Sequence, residues 1–259
     1  MNILDKITAH KRTEVEQRKQ TVSIKQLEKS PLFNRQSFSA TTFIKERSGI
    51  IAEFKRQSPS KGIIHPNPNI ETITKGYVSA GVSAISVLTD VDFFGGSDAD
   101  LLAVRDFNDI PLLRKDFMVD EYQIVEAKAI GADLILLIAA CLSPKEIEQF
   151  GKLAQSLGME VLLEVHNQAE LERSICPFVN LVGVNNRDLT TFTVDLNHSY
   201  SLVNQIPNDF LKISESGISN PKTIVELREA GFDGFLIGEN FMRNDEPEKA
   251  CLEFVNEIG

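Results

Sequence analysis

The sequence predicts an α/β protein that folds as a single (β/α)8 barrel with an N-terminal helical extension. Short apolar runs recur along the 259 residues, and the intervals between them can each hold a helix and two loops. The runs are apolar throughout, as expected for a parallel sheet covered on its outer face by helices. Eight such units in about 210 residues fit a barrel of this kind, whose usual size is about 250 residues. A doubly wound open sheet is the alternative, but no G-x-G-x-x-G follows the first run.

The predicted strands follow the apolar runs in order. They cover residues 49–54, 83–88, 110–114, 133–138, 160–165, 180–185, 210–214 and 234–238. Ser143, Pro144 and Glu146 offer an N-cap, a proline at the first helical position and a capping-box glutamate. Asn220-Pro221 begins a second helix in the same way. Four glycines precede strands at the position of a helix C-cap, namely Gly81, Gly131, Gly158 and Gly231.

The chain divides into an extension, residues 1–48, and a barrel, residues 49–259. The extension is rich in Lys, Arg, Glu and Gln, and Ile3, Leu4 and Ile7 are spaced for an amphipathic helix. No low-complexity linker separates the two parts. We therefore expect one domain overall, with the extension lying as a cap across the barrel.

Composition limits the classes of partner and the compartment. The 27 basic and 37 acidic residues give a net charge of −10, which argues against binding to nucleic acid or to an anionic membrane. Cys141, Cys176 and Cys251 form no C-x-x-C pair, which is typical of reduced thiols in the cytosol. The longest apolar run, 134–142, is too short to span a bilayer, and the N-terminus lacks the apolar core of a secretory signal. Histidine spacing predicts no metal site, and we expect a cytoplasmic protein.

The predicted strands end in polar and charged residues. Because the carboxyl ends of barrel strands open on one mouth, these side chains should converge in space. They include Glu53, Lys55, Asp90, Lys115, Glu164, Asn185, Arg187, Glu215, Ser216 and Glu239. A buried strand that ends in Glu-x-Lys needs a use for both charges, since desolvating either charge alone is costly. The strand ends therefore predict an active site, with Ser58-Pro59-Ser60 breaking the first strand into a loop.

The last two strands end at a predicted phosphate site. Ser216-Gly217 and Gly238-Glu239 stand where barrels of this type commonly bind phosphate, and glycines allow the backbone to approach the anion. The alternative is that they are two ordinary turns between strand and helix. Only the N–H of Glu239 is needed for such a grip, so we expect its side chain to face solvent.

Lys115 and Glu164 are candidates for a general acid and a general base. Apolar surroundings can lower the pKa of a lysine, and partial burial can raise the pKa of a glutamate. Two alternatives remain, a structural ion pair at the barrel rim and a Schiff-base lysine. Phe94 and Phe117 are placed to sandwich an aromatic substrate, although each taken alone is more typical of a core residue, since aromatic side chains are usually buried for packing.

Two further polar features carry no functional assignment. We expect the acidic stretch from Asp98 to Asp100 to be solvated surface. His166 should face the same side as Glu164, two residues before it, and receives no role.

Six motifs together resemble those of the indole-3-glycerol phosphate synthase family of tryptophan biosynthesis. They are E-x-K-x-x-S-P-S, L-T-D-x-x-F-F-x-G-S, R-K-D-F, L-x-E-V-H, N-N-R-D-L and S-E-S-G-I, in this order and at barrel spacing. The resemblance covers nearly the whole chain. It implies a lyase that closes an anthranilate ring carbon onto the carbonyl of a ribulose-derived phosphate, with loss of CO₂ and then of water. It implies no metal and no organic cofactor.

The resemblance also implies roles for particular residues. Lys115 would be the general acid and Glu164 the base, while Lys55 would pair with the substrate carboxylate or hold the reacting conformation. Supporting and substrate-binding roles would fall to Glu53, Asn185, Glu215, Ser58, Phe94 and Phe117, and phosphate would lie against Arg187, Ser216, Gly217, Gly238 and Glu239. The chain departs from the family at Asn240-Phe241, where a small residue and leucine are usual. That change leaves the backbone donors in place and bears on side-chain detail only.

The expected partner is a small phosphorylated substrate, and we expect a monofunctional monomer without a fused isomerase barrel. A class I aldolase that uses Lys115 as a Schiff base is the chemical rival. A catalytically silent barrel that serves as a binding subunit is the rival from another class. It predicts the loss of an acid or base at the mouth, and Lys115 and Glu164 are both present.

Overall fold

The computed structural model describes residues 3–188 and 191–258 and has the predicted (β/α)8 barrel, or TIM barrel, architecture. The barrel strands are β1 (Ile50–Phe54), β4 (Ala84–Leu88), β5 (Leu112–Lys115), β6 (Leu134–Ile138), β7 (Glu160–Val165), β8 (Leu181–Asn185), β9 (Leu211–Glu215) and β10 (Gly234–Ile237). All of them run parallel, and β1 closes the barrel by pairing with both β4 and β10. The fold-class prediction is confirmed.

Helices cover the outside of the barrel. They are α4 (Ile70–Ser79), α5 (Asp98–Phe107), α6 (Glu121–Ala129), α7 (Pro144–Ser156), α8 (Gln168–Ser174), α9 (Asn197–Leu202), α10 (Pro221–Ala230), α11 (Glu239–Met242) and α12 (Pro247–Ile258). The capping box of Ser143 and Glu146 begins α7, and Asn220 caps α10, as predicted. Gly231 ends α10 in the left-handed conformation. Among the described residues, none of the helices is both long and apolar enough to span a membrane.

Alternation along the strands separates two layers of side chains. Residues such as Ile51, Leu113 and Leu162 point into the barrel, while their neighbours pack outward against the helices. The same period of two carries on to the strand ends, where Glu53, Lys115, Glu164, Asn185 and Glu215 form the uppermost inward layer. The third barrel strand begins at Leu112 rather than at residue 110. Pro111 precedes it and has no N–H to contribute to a sheet.

The loop after β1 contains a short hairpin that the sequence did not predict. β2 (Gln57–Ser58) pairs antiparallel with β3 (Gly62–Ile63), so Ser58-Pro59-Ser60 leads into a turn rather than an irregular loop. Arg56 holds the base of the hairpin, because its guanidinium pairs with both oxygens of Asp100 at 2.6 and 2.8 Å. The hairpin is therefore fixed at the barrel mouth.

The N-terminal extension covers both ends of the barrel instead of only capping one. Its helices are α1 (Ile3–Thr21), α2 (Ile24–Leu27) and α3 (Ala40–Glu46). α1 lies over the carboxyl ends of β4 and β5, where Lys11 reaches Asp90 and Asp116. α3 packs Ala40 and Ile44 against the interior layer at the opposite end. Whether residues 1–48 and the barrel form a single folding domain stays a prediction.

Candidate active site

The predicted site residues converge at the carboxyl ends of the barrel strands. Most of them line one hollow, here called the central cavity, which reaches from Phe94 and Phe117 across Lys115 to Arg187. Gly217 and Gly238 line an adjoining hollow, here called the outer cavity, which shares Glu53, Lys55, Arg187, Ser216 and Glu239 with the first. Leu189, the last residue of the N-N-R-D-L motif, lies outside the described residues.

Lys115 is the centre of the charged cluster in the central cavity. Its Nζ lies 2.7 Å from Glu215 Oε2 and 3.1 Å from Glu164 Oε2. Asn185 donates to the other oxygen of Glu164 at 3.1 Å, which orients that carboxylate. Since all of these groups are inward-facing residues at strand ends, the rigid barrel fixes their positions.

In the charged cluster, the pKa values of Lys115 and Glu164 are shifted in the directions opposite to those expected from the sequence. Burial alone would lower the pKa of Lys115, but the carboxylates of Glu215, Glu164 and Glu53 outweigh it and raise this pKa above its usual value. Burial would likewise raise the pKa of Glu164, yet Lys115, His166 and Asn185 lower it. The glutamate with a raised pKa is Glu215, at about 7, because burial and the nearby Glu164 outweigh Lys115. The expectation that the pKa of Lys115 is lowered was therefore wrong.

Two glycines make room for the buried carboxylates. A Cβ atom at Gly183 would lie 2.0 Å from Glu215 Oε1, and one at Gly238 would lie 2.5 Å from Glu53 Oε1. Lys55 Nζ lies 2.9 Å from Glu53 Oε1, and Ser86 Oγ donates a hydrogen bond to Glu53 Oε2 at 3.3 Å. Lys55 thus lies beside the cluster with its ammonium at the boundary between the two cavities.

Phe94 and Phe117 form an apolar wall on the other side of Lys115. Their ring centroids are 6.1 Å apart at an interplanar angle of 38°, so the two rings contact each other. As they stand they present one surface, and they do not form the two sides of an aromatic sandwich. Ile3, Leu4 and Ile7 of α1 extend this surface over the cavity.

Cationic side chains and glycines line the outer cavity at the ends of β8, β9 and β10. Arg187 follows β8, and Lys61 enters from the β2–β3 hairpin. Ser216 has the left-handed backbone conformation, with φ of 69°, which a residue with a side chain rarely adopts. The buried Asn186 side chain holds this segment by donating to the carbonyl oxygens of Glu215 and Ser216 at 3.0 and 3.1 Å. This arrangement is suited to an anionic ligand.

The Glu239 side chain does not face solvent as expected. It turns toward the outer cavity, where its oxygens lie 3.3 Å from Arg187 Nη2 and 3.5 Å from Lys61 Nζ. The two cations attract it, and its side chain keeps 30% of its surface exposed.

A second buried charged cluster, here called the α1 network, lies on the outward side of β5. Lys11 Nζ lies 2.9 Å from Asp90 and 3.1 Å from Asp116, and Arg114 Nη2 lies 2.7 Å from Glu126. Asp98 also belongs to it through Arg114, at 3.0 Å. The expectation that the Asp98–Asp100 stretch is solvated surface was wrong, because cations from α1, β5 and the loop after β1 fold onto it.

The sequence alone does not point to Lys61 at the outer cavity or to Lys11 in the α1 network. Nothing in the sequence marks the segment after β1 as a hairpin that brings Lys61 to the cavity. Nothing in a Lys-rich helix marks Lys11 as the buried lysine. His166 was placed correctly on the side of Glu164 but without a role, and its Nε2 lies 3.6 Å from Glu164 Oε1 while Glu170 contacts Nδ1 at 3.1 Å.

Comparison with known proteins agrees with the motifs. The family model for indole-3-glycerol phosphate synthase matches residues 4–254. Indole-3-glycerol phosphate synthase of Bacteroides thetaiotaomicron is 45% identical, with 99% of each chain covered. The enzyme of the same name from Chloroherpeton thalassium is 45% identical over 95% of this chain and 96% of its own.

Solved structures agree on the fold alone. The 3-hexulose-6-phosphate synthase of Salmonella typhimurium aligns with a TM-score of 0.65 at 12% identity, over 81% of this chain and 98% of that one. Such distant likeness supports the barrel and leaves the chemistry to the site and the sequence relatives. The family model and the full-length relatives together show that the chain belongs to the indole-3-glycerol phosphate synthase family.

Proposed function

We propose that the central cavity converts 1-(2-carboxyphenylamino)-1-deoxyribulose 5-phosphate to indole-3-glycerol phosphate. The observation that carries the proposal is the position of the Lys115 ammonium, which contacts two buried glutamates between an apolar wall and a cationic cavity. The substrate has the matching order of parts: an aromatic ring with its carboxylate, a ketone, and a phosphate. Ring closure, loss of CO₂ and loss of water make this a carboxy-lyase reaction of tryptophan biosynthesis.

Lys115 acts as the general acid at the ketone oxygen in this proposal. As the ring carbon attacks the carbonyl carbon, negative charge develops on that oxygen, and an ammonium fixed at the cavity floor stabilises it and donates a proton. The raised pKa of Lys115 keeps it protonated in the free enzyme. Substrate that displaces Lys115 from its glutamates would weaken the interactions that hold the proton and so make the lysine a better donor.

Glu164 serves as the base after decarboxylation. Its pKa is lowered, so it is ionised and ready to accept the proton whose loss completes the indole ring. Its contact with Lys115 allows the accepted proton to pass to Lys115 and on to the departing hydroxyl, which leaves as water, while Asn185 keeps the carboxylate oriented. Glu215 and Glu53 complete the cluster by holding Lys115 and Lys55 in place.

The remaining predicted residues bind the ends of the substrate. The anthranilate ring lies against Phe94 and Phe117, its carboxylate pairs with Lys55, and Ser58 lies beside it. The phosphate occupies the outer cavity and contacts Arg187, Ser216 and the backbone at Gly217, Gly238 and Glu239. Holding both ends fixes the reacting carbon atoms close together, which is itself a large part of catalysis.

A Schiff-base mechanism at Lys115 fits this site less well. The nucleophile in that chemistry is a neutral amine, and the three surrounding glutamates favour the charged form. Borohydride added with substrate would trap a Schiff base as a covalent adduct. We expect no adduct, and a trapped adduct on Lys115 would favour the class I aldolase mechanism.

Indole emission tests the proposed function. The chain contains no tryptophan and three tyrosines, so the indole product should stand out when protein and substrate are mixed. We expect emission to grow with time in the wild-type protein. Folded protein that binds the substrate without forming indole would instead support the silent barrel, and absence of binding would contradict the proposed substrate.

We further propose a cytoplasmic monomer that works without metal or organic cofactor. The three cysteines are unpaired in the structure, which fits a reducing compartment. Acid, base and cation are all supplied by side chains of the barrel mouth, so each step of the proposed reaction has a protein group to perform it.

A further inference from the structure

The carboxylate of Glu239 lies between two cations that come from different parts of the chain. Its Oε2 contacts Arg187 in the loop after β8 at 3.3 Å, and its Oε1 contacts Lys61 in the β2–β3 hairpin at 3.5 Å. All three side chains line the outer cavity. An internal anion thus bridges the two cations at the position where the substrate phosphate is proposed to bind.

A phosphate group and this carboxylate compete for the same donors. A phosphate dianion brought up to Arg187 would also meet the negative charge of Glu239, and like charges at such short range repel. Arg187 binds either a carboxylate or a phosphate through the same guanidinium edge. Both anions therefore cannot keep these contacts together at full strength.

We propose that Glu239 is a placeholder for the substrate phosphate, and that its side chain sets the affinity of the outer cavity for phosphate-bearing ligands. In the free protein it holds Arg187 and Lys61 toward the cavity. On binding, the phosphate takes over both cations and Lys61 becomes an additional phosphate ligand supplied by the hairpin. This inference rests on the proposed function, because it assumes that phosphate enters the outer cavity.

Two observations make the exchange physically simple. Glu239 is the first residue of α11, and 30% of its side-chain surface is exposed, so rotation about its side-chain bonds alone can move the carboxylate into water. Its partners are also partly exposed, since 53% of the Lys61 side chain and 18% of the Arg187 side chain remain accessible. No buried ion pair has to be broken, and the backbone of the cavity can stay in place.

A phosphate can displace the placeholder more readily than a weaker anion can. A phosphate near neutral pH carries more charge than a carboxylate and offers three strong acceptor oxygens, so it can displace Glu239 from two cations. A ligand with one carboxylate offers no such advantage over Glu239. The consequence is a cavity whose affinity is lowered for every anion that must displace Glu239.

Calorimetric titration with inorganic phosphate tests the placeholder on the whole protein. We compare the wild type with Glu239→Gln, which keeps the size of the side chain and removes its charge. Glu246→Gln is the matched control, because it makes the same charge change at an exposed residue that pairs with Lys249. We expect Glu239→Gln to bind phosphate roughly tenfold or more tightly and Glu246→Gln to bind as the wild type does.

Arg187→Ala separates failure of the placeholder from failure of the phosphate site. If Arg187→Ala loses phosphate binding while Glu239→Gln binds no more tightly than the wild type, the placeholder is overturned and the phosphate site stands. If Arg187→Ala binds phosphate as tightly as the wild type does, the outer cavity is not the phosphate site and both proposals are overturned. Acetate provides a second readout, because an internal competitor weakens every anion that must displace it, so we expect acetate binding to improve in Glu239→Gln as well.

Discussion

Two buried clusters of charge meet at β5 on opposite sides of one strand. Lys115 points inward to the central cavity, while Arg114 and Asp116, its two neighbours, point outward into the α1 network. In the α1 network, salt bridges favour the charged forms of three groups: the pKa of Asp116 is lowered and those of Lys11 and Arg114 are raised. In the central cavity, the pKa of Glu215 is raised to about 7.

The difference lies in how completely the charges are compensated. The α1 network is sealed beneath a helix, and Lys11 is only 1% exposed. The central cluster crowds Glu53, Glu164 and Glu215 around Lys115 beside an open cavity, so a substrate can change its balance. We infer that the first cluster holds the N-terminal helix on the barrel and the second performs chemistry. Burial of charge alone therefore does not identify an active site.

Replacing the base should strongly reduce turnover by the central cluster. Glu164→Gln keeps the side-chain size and removes the proton acceptor, so we expect kcat to fall by about 10²- to 10⁴-fold. The indole emission assay measures the rate, and urea unfolding measures stability, which should change little. A variant with kcat within a few-fold of the wild type would remove Glu164 from the proposed mechanism.

Breaking the α1 network should instead be visible in stability. Lys11→Met leaves Asp90 buried without its cation and leaves Asp116 with Arg114 alone, at 3.6 Å, so we expect the free energy of unfolding to fall by about 3–5 kcal/mol. Equilibrium urea unfolding measures this loss, and kcat per folded molecule should fall less than in Glu164→Gln. The comparison fails if Lys11→Met unfolds like the wild type, or if it loses turnover as completely as the base variant does.

Removing the guanidinium at the outer cavity should weaken binding more than chemistry. We expect Arg187→Ala to raise KM by about ten- to a hundredfold, because a charged hydrogen bond to phosphate contributes about 1.5–3 kcal/mol. The kcat value should remain near that of the wild type. Steady-state kinetics separate the two constants, and an unchanged KM would count against phosphate contact at Arg187.

Glu215 should make the stability that the central cluster contributes depend on pH near neutrality. Its folded pKa of about 7 lies above its usual value, so the folded state binds this proton more tightly than the unfolded chain does. The stability from this group is complete at low pH and is lost as pH rises through about 7. Glu215→Gln removes that loss, so its stability relative to the wild type should increase between pH 5 and pH 8. Unfolding curves at both pH values measure it, and a difference that is constant or decreases would contradict the raised pKa.

The sequence was sufficient for the barrel and for which residues meet at its mouth. Apolar runs of strand length fix the eight strands, and the period of two then places Glu53, Glu164 and Glu215 on one inward layer. The sequence was insufficient to predict the direction in which the pKa of Lys115 is shifted, because that direction depends on three glutamates distant in sequence. The same holds for Asp98 and Asp100, whose cations come from other elements, and for Glu239, whose direction is set by Arg187 and Lys61. Long-range charge pairing has no local sequence pattern from which it could be predicted.

Turnover by Lys115→Ala, measured by indole emission beside the Lys11→Met control, tests the central claim most directly. Lys115 faces the cavity, and Lys11 projects from α1 into the buried α1 network, so the two variants each remove one buried lysine from opposite sides of the same strand end. We predict that Lys115→Ala forms no detectable indole while retaining a cooperative unfolding transition. Near-wild-type emission from Lys115→Ala would contradict the assignment of chemistry to the central cluster.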